Sequence, residues 1–213
     1  MAKIAEEMKE GMNQKKLITI YLDGRETQVP EGATILEACN IEGIKIPTLC
    51  HLEGLSSWGG CRICVVEVER QPNLVASCIT TVQEGMKIRT SSKKVREARK
   101  TNLELLLSNH PLDCQLCDRN GSCELQDLSY QLGVREIRFP GEKNTYEVDR
   151  SSPSVKRDPN RCILCGRCIR TCQEIQTVFA IDFANRGFDT LVSPSLGLPL
   201  GESVCVNCGQ CIL

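Results

Sequence analysis

Apolar and polar positions alternate with a period of two in Leu17–Leu22 (LITIYL) and again in Val65–Glu69 (VVEVE), which predicts two half-buried strands. Asp23-Gly24 follows the first run and is a favoured type I′ pair, so RETQV should return as the second arm of a hairpin ending at Pro30. Leu74–Ala76 is the expected return of the second strand. Thr34-Ile35-Leu36-Glu37 has the form of a capping box and predicts a helix carrying Ile35, Leu36 and Cys39 on one face. A helical period fits Lys93–Ser108, with Val95, Ala98, Leu105 and Leu106 on the buried side. The basic run Lys93, Lys94, Arg96, Arg99, Lys100 would then form the solvated side. This helix should stop at Asn109-His110, because Pro111 pushes His110 out of the α region. Ser122 is placed to cap another helix, with Leu125, Leu128 and Leu132 inward and Gly133 as its stop. Ile4, Met8 and Met12 suit a short amphipathic helix or a frayed tail over residues 1–16. VFAIDF (178–183) and DTLV (189–192) flank a turn at Asn185-Arg186-Gly187, and Pro140–Asn144 reads as a linker.

Composition narrows the possibilities. Lys+Arg 26 against Asp+Glu 27 leaves a formal charge of −1, and no aromatic residues accompany the basic run, so a nucleic-acid partner is not expected. The N-terminus is charged throughout and lacks the apolar core of a signal peptide, and no apolar run could span a bilayer. The expectation is a cytoplasmic protein. Its 15 cysteines, kept reduced there, point to metal chemistry rather than disulfides.

The cysteines fall into sets. Arg161–Cys172 (RCILCGRCIRTC) places Cys162, Cys165 and Cys168 at C-x2-C-x2-C, followed by Cys172 after three residues. Cys205, Cys208 and Cys211 repeat the triplet. This is the spacing of bacterial [4Fe–4S] ligation, in which the fourth cysteine of each run serves the other cluster. Cys172 would therefore complete the set of Cys205, Cys208 and Cys211, leaving Cys162, Cys165 and Cys168 without a fourth ligand. Cys50, Cys61, Cys64 and Cys78 show three clustered cysteines and one distant, a relative of the plant-type [2Fe–2S] pattern with a wider first gap. Hairpin, helix and then a cysteine-bearing loop is how a β-grasp ferredoxin domain begins. Gly59 and Gly60, without Cβ atoms, would let backbone N–H groups approach cluster sulfurs. His110, Cys114, Cys117 and Cys123 (H-x3-C-x2-C-x5-C) form one further set, in which the histidine supplies what three cysteines lack. These sets hold 14 of the 15 cysteines, and Cys39 is left as a buried small hydrophobe. Zinc held by the same ligands is the alternative for the Cys50 and His110 sets, and a zinc-stabilised scaffold the alternative for the whole. His51 and Trp58 carry no chemical context beyond their place in the ligand loop.

The order of these sets resembles the N-terminal part shared by [FeFe] hydrogenase catalytic subunits, the large iron–sulfur subunit of NADH dehydrogenase, NAD-dependent formate dehydrogenase and bidirectional NiFe hydrogenase. FANRGFDTLVSP followed by CVNCGQC is most similar to the [FeFe] hydrogenases, and LITIYLDGRETQVPEGATILEA to the α subunit of their NAD-linked, electron-bifurcating type. The resemblance implies an α+β protein: a tail (1–16), a β-grasp [2Fe–2S] domain (17–92), a helix with a one-histidine, three-cysteine [4Fe–4S] segment (93–140), and a two-cluster [4Fe–4S] ferredoxin-like domain (141–213). It implies one [2Fe–2S] and three [4Fe–4S] clusters that pass electrons, with no substrate-converting site within the chain. Expected partners are a flavin-containing NADH-oxidising subunit, a small [2Fe–2S] subunit, ferredoxin, and a catalytic domain or subunit beyond residue 213. The family pattern sets one more cysteine two residues past Leu213, so the chain is expected to be the front part of a longer one.

Overall fold

The computed structural model describes residues 16–212, so the expected helix or tail bearing Ile4, Met8 and Met12 lies outside the described residues. Strand β1 (Leu17–Leu22) pairs antiparallel with β2 (Arg25–Pro30), Leu22 opposite Arg25. Asp23 and Gly24 both take positive φ, 49° and 84°, as a type I′ turn demands. Helix α1 (Ile35–Ile41) opens with the full capping box: the Glu37 N–H donates to Thr34 Oγ1, and the Glu37 carboxylate accepts the Thr34 N–H at 2.7 Å. Strands β3 (Val65–Val68) and β4 (Val75–Ala76) form the second hairpin.

A strand the apolar pattern hides completes the sheet. β5 (Lys87–Arg89) lies between β1, to which it is parallel, and β3, giving the order β2-β1-β5-β3-β4. It has three residues and one apolar side chain, Ile88, too little for periodicity to register. The inward residues Ile18, Ile20, Leu22, Val66 and Ile88 pack with Ile35, Leu36 and Cys39 of α1 into one core.

Helix α2 (Lys93–Ser108) ends where the proline requires. Its buried stripe differs from the expected one: Val95, Arg99, Leu103 and Leu107 are inside, and Leu105 is 51% exposed. The i, i+4 stripe runs through an arginine, which a reading by hydrophobicity assigns to solvent. Arg99 is buried because its Nη2 donates to the Val65 carbonyl at 2.8 Å. Glu104 is also buried, held by Arg138 at 2.7 Å. Helix α3 (Glu124–Gln131) begins at Cys123 instead of Ser122, whose hydroxyl donates to the Arg119 carbonyl, and Gly133 follows its end with φ +63°.

Beyond it come the short helix α4 (Arg167–Arg170), a π-helical turn Thr171–Ile175, and the hairpin of β6 (Asp182–Ala184) and β7 (Leu191–Ser193). Val155, Ile169, Ile181, Val192 and Leu200 form a small core with Cys168, Cys172 and Cys205 packed against it. The described residues fall into two compact units, one up to Thr48 with Arg62–Arg99, the other Leu49–Cys61 with Lys100 onward. Among the described residues, no helix is long and apolar enough to cross a membrane.

Candidate functional site

The two C-x2-C-x2-C runs fold alike. Leu164 and Asn207, each just before the middle cysteine of its triplet, adopt φ +52° and +55°, and the glycines that follow those cysteines, Gly166 and Gly209, adopt +67° and +73°. Left-handed backbone at a leucine is unfavourable and persists only where the surroundings enforce it. Here it turns backbone donors onto sulfur: Leu164 N–H lies 3.4 Å from Cys162 Sγ and Asn207 N–H 3.4 Å from Cys205 Sγ. Ala180 N–H reaches Cys172 Sγ at 3.3 Å. Such donors are placed to hydrogen-bond the sulfur of a metal-bound cysteine.

Cys162, Cys165, Cys168, Cys172, Cys205, Cys208 and Cys211 all line one cavity of about 500 Å³. Three of these thiols are costly to ionise there. Burial, then the neighbouring Cys162, Cys165 and Cys211, pushes Cys168 up to about 12, and burial likewise raises Cys162 and Cys211. Cationic iron would offset that mutual repulsion.

His110, Cys114, Cys117 and Cys123 line a second cavity of about 300 Å³, and His110 and Cys123 border the first as well. His110 Nδ1 lies 2.7 Å from the Pro111 carbonyl. A donor Nδ1 leaves the lone pair on Nε2, the arrangement a metal-binding imidazole needs. Burial pulls the His110 pKa down, against the carbonyls of Pro111 and Arg161, and so favours the neutral ring. Arg161, beside Cys162, holds Asp113, beside Cys114, through two hydrogen bonds of 3.1 and 2.9 Å.

Cys64 and Cys78 stand with sulfurs 3.4 Å apart in the first unit. Two thiolates on one tetrahedral metal at about 2.3 Å would be about 3.8 Å apart, so the pair suits a shared iron. Ser77, next to Cys78, is fully buried, and its hydroxyl has no protein partner. Cys50 and Cys61 lie on the loop Leu49–Cys61 of the second unit. Cys39, assigned to no set, is fully buried in the core, and burial pushes its thiol up to about 11.

Anchors of that loop escaped the sequence reading. Arg170 donates to the carbonyls of Cys50 and Ser56, and Arg167 to that of His51 at 2.8 Å. Glu174 accepts the Ser56 N–H at 2.7 Å. Trp58 stacks on Phe183, ring centroids 5.1 Å apart, and a Cβ on Gly60 would overlap the Trp58 indole. Gly60 is therefore required by its neighbour in the chain, whatever its role toward sulfur. The available signal was charge within RCILCGRCIRTC: once its cysteines are assigned to metal, its arginines still lack partners.

The residues fit iron–sulfur groups. Soft thiolate donors ring cavities of suitable size, and buried N–H and O–H groups beside them (Arg167 Nε, Ser77 Oγ) have no protein acceptor. Among the described residues, no three His, Cys, Asp or Glu side chains gather as ligands of a single metal ion.

Comparison with known proteins finds iron–sulfur binding regions in this chain. Residues 15–93 match the family described as a 2Fe-2S iron-sulfur cluster binding domain, and residues 99–138 match the NADH-ubiquinone oxidoreductase-G iron-sulfur binding region. The NADP-reducing hydrogenase subunit HndD of Solidesulfovibrio fructosivorans is 45% identical over 201 residues, 92% of this chain and 34% of that protein. The NADH-ubiquinone oxidoreductase 75 kDa subunit of Reclinomonas americana is 45% identical over 177 residues, 83% of this chain and 26% of that one. The crystal structure of an NAD+-reducing [NiFe]-hydrogenase in the H2-reduced state superposes with a TM-score of 0.84 at 31% identity, covering 91% of this chain and 82% of its own. The chain thus spans about a third or less of the length of these curated relatives.

Proposed function

The chain belongs to the family that carries the N-terminal iron–sulfur region of NADH dehydrogenase G-type and hydrogenase subunits, and from that premise we propose that it is the multi-cluster electron-transfer module of an [FeFe] hydrogenase exchanging electrons among NAD(H), ferredoxin and H2. Its homologues are subunits of oxidoreductase complexes. The observation that carries the reading is the first cavity, where seven cysteines from two like-folded runs face the same space.

In this reading Cys50, Cys61, Cys64 and Cys78 hold a [2Fe–2S] cluster, and His110, Cys114, Cys117 and Cys123 a [4Fe–4S] cluster. Cys172, Cys205, Cys208 and Cys211 hold another, and Cys162, Cys165 and Cys168 supply three ligands to a third. Clusters so held supply one-electron carriers at potentials set by net charge, hydrogen bonds to sulfur and burial. The chain's own work is positional. Left-handed turns aim N–H groups at sulfur, Arg161 ties the Cys162 run to the Cys114 segment, and Arg170 ties the Cys50 loop to Cys165. A flavin-containing NADH-oxidising subunit, a small [2Fe–2S] subunit and ferredoxin are the proposed electron partners. The hydrogen-converting site belongs to a domain or subunit these residues do not include.

The likeness to the 75 kDa subunit and the [NiFe]-hydrogenase favours a second reading, the same module serving an NADH dehydrogenase or NiFe hydrogenase. Hydrogenase active-site cysteine motifs in the complex, on this polypeptide or on a partner, would separate the two, since only the [FeFe] reading requires them. The shared claim is tested by iron and acid-labile sulfide analysis of anaerobically prepared protein, with EPR of the reduced form. Signals of both [2Fe–2S] and [4Fe–4S] type are expected. A colourless preparation with zinc and no sulfide overturns it.

A further inference from the structure

Arg167 stands where three ligand segments meet. It immediately precedes Cys168 and lines the cavity of the two cysteine runs. Its Nη1 pairs at 2.8 Å with Glu124, the neighbour of Cys123, and its Nη2 donates at 2.8 Å to the carbonyl of His51, the neighbour of Cys50. The third donor, Nε–H, is buried and has no protein acceptor. A buried donor left unmatched is costly, and a guanidinium carries donors only, so this arrangement calls for an acceptor in the cavity. The sulfurs of the two cysteine runs line the same cavity as this donor.

We propose that Arg167 is a potential-setting residue, held by Glu124 and the His51 carbonyl so that its Nε–H and its positive charge act on the cluster of Cys162, Cys165 and Cys168. The inference rests on the iron–sulfur reading above and adds a residue that ligand spacing does not assign. A cation beside a cluster stabilises the reduced, more negative state and raises its midpoint potential. Glu124 has the opposite sign, and its pairing with Arg167 moderates that effect.

The two ends of this ion pair therefore give a test that a purely structural brace would fail. In the full chain, prepared anaerobically with its iron and sulfide, EPR-monitored redox titration of Arg167→Gln should show a [4Fe–4S] midpoint below wild type. Glu124→Gln should show one above wild type. Arg167→Lys, which keeps the charge, should lie nearer wild type than Arg167→Gln. Both neutral variants break the same ion pair, so a brace predicts shifts in one direction. Equal-sign shifts or none, with clusters present, overturn the inference. Iron and sulfide content separates this failure from failure of the underlying reading, which predicts four clusters' worth of both in the wild-type chain. If Arg167→Gln does not retain its clusters, Glu124→Gln decides alone, since Glu124 is 58% exposed and tolerates substitution. An unchanged or lowered midpoint in that variant then overturns the proposal.

Discussion

In its proposed role, His110 would set the charge of a whole site. A neutral imidazole in a set with three thiolates makes the total one unit less negative than four thiolates would. Burial favours the neutral form, and the Pro111 carbonyl fixes Nδ1 as the donor. A lost negative charge should make reduction easier. His110→Cys is therefore expected to lower the midpoint of that cluster, on the order of 100 mV given an unscreened charge interaction of a few kcal/mol at short range. A redox titration following its EPR signal checks this, and an upward shift refutes the proposed role. His110→Ala should instead lose that cluster's iron while the other sets keep theirs.

Within the second unit, the segment joining these ligand runs is pinned by one carboxylate. Asp149 accepts from Ser151 N–H at 3.0 Å, from Ser151 Oγ at 2.6 Å and from Leu200 N–H at 2.8 Å, and pairs with Arg157 at 3.4 Å. Burial alone would push this carboxyl up. The bonds from Ser151 and Leu200, with Arg157, outweigh it and bring the carboxyl down to about 2. A depressed carboxylate stabilises the fold wherever it is ionised in both folded and unfolded chains, so its contribution is complete above pH ~4 and fades as pH falls through about 2. Asp149→Asn should cost about 2 kcal/mol by removing charge-assisted bonds. Calorimetry should find that loss constant between pH 8 and pH 5. A loss that shrinks within that range would show that another group is titrating. Elements like this segment explain what the sequence could and could not disclose. The hairpin, the capping box and the end of α2 were legible, because each depends on residues adjacent in the chain. The likeness of the two cysteine runs was legible because their spacing is itself local. The buried stripe of α2 was not, since Arg99 is buried by a bond to Val65, 34 positions away in the chain. β5 was missed because its pairing comes from two distant strands. The anchors of the Cys50 loop were missed because Arg170 lies 120 positions from the carbonyl it holds.

Taken whole, the molecule draws its stability from two sources. The first unit has a continuous apolar core in which five strands and α1 bury Ile20, Val29, Ile35, Val66 and Ile88 almost completely. In the second, Val155, Ile169, Ile181, Val192 and Leu200 form a small core beside the cysteine runs, and its proposed ligand residues line two cavities of about 500 and 300 Å³. Apolar packing does not close space of that size lined by thiols, so iron–sulfur groups held there would supply folding energy, as metals do in other small domains. Stripping iron with a chelator after mild oxidation should therefore act unevenly. Hydrogen exchange is expected to stay slow in β1, β5 and the buried face of α1, and to become fast across Arg161–Ile175 and β6–β7. The first unit also has a proposed ligand pair, Cys64 and Cys78, yet these are two buried members of a larger apolar core. Equal protection of both units after iron removal would mean that the second unit closes its cavities without metal, and the iron–sulfur groups would then be passengers in the fold instead of its supports.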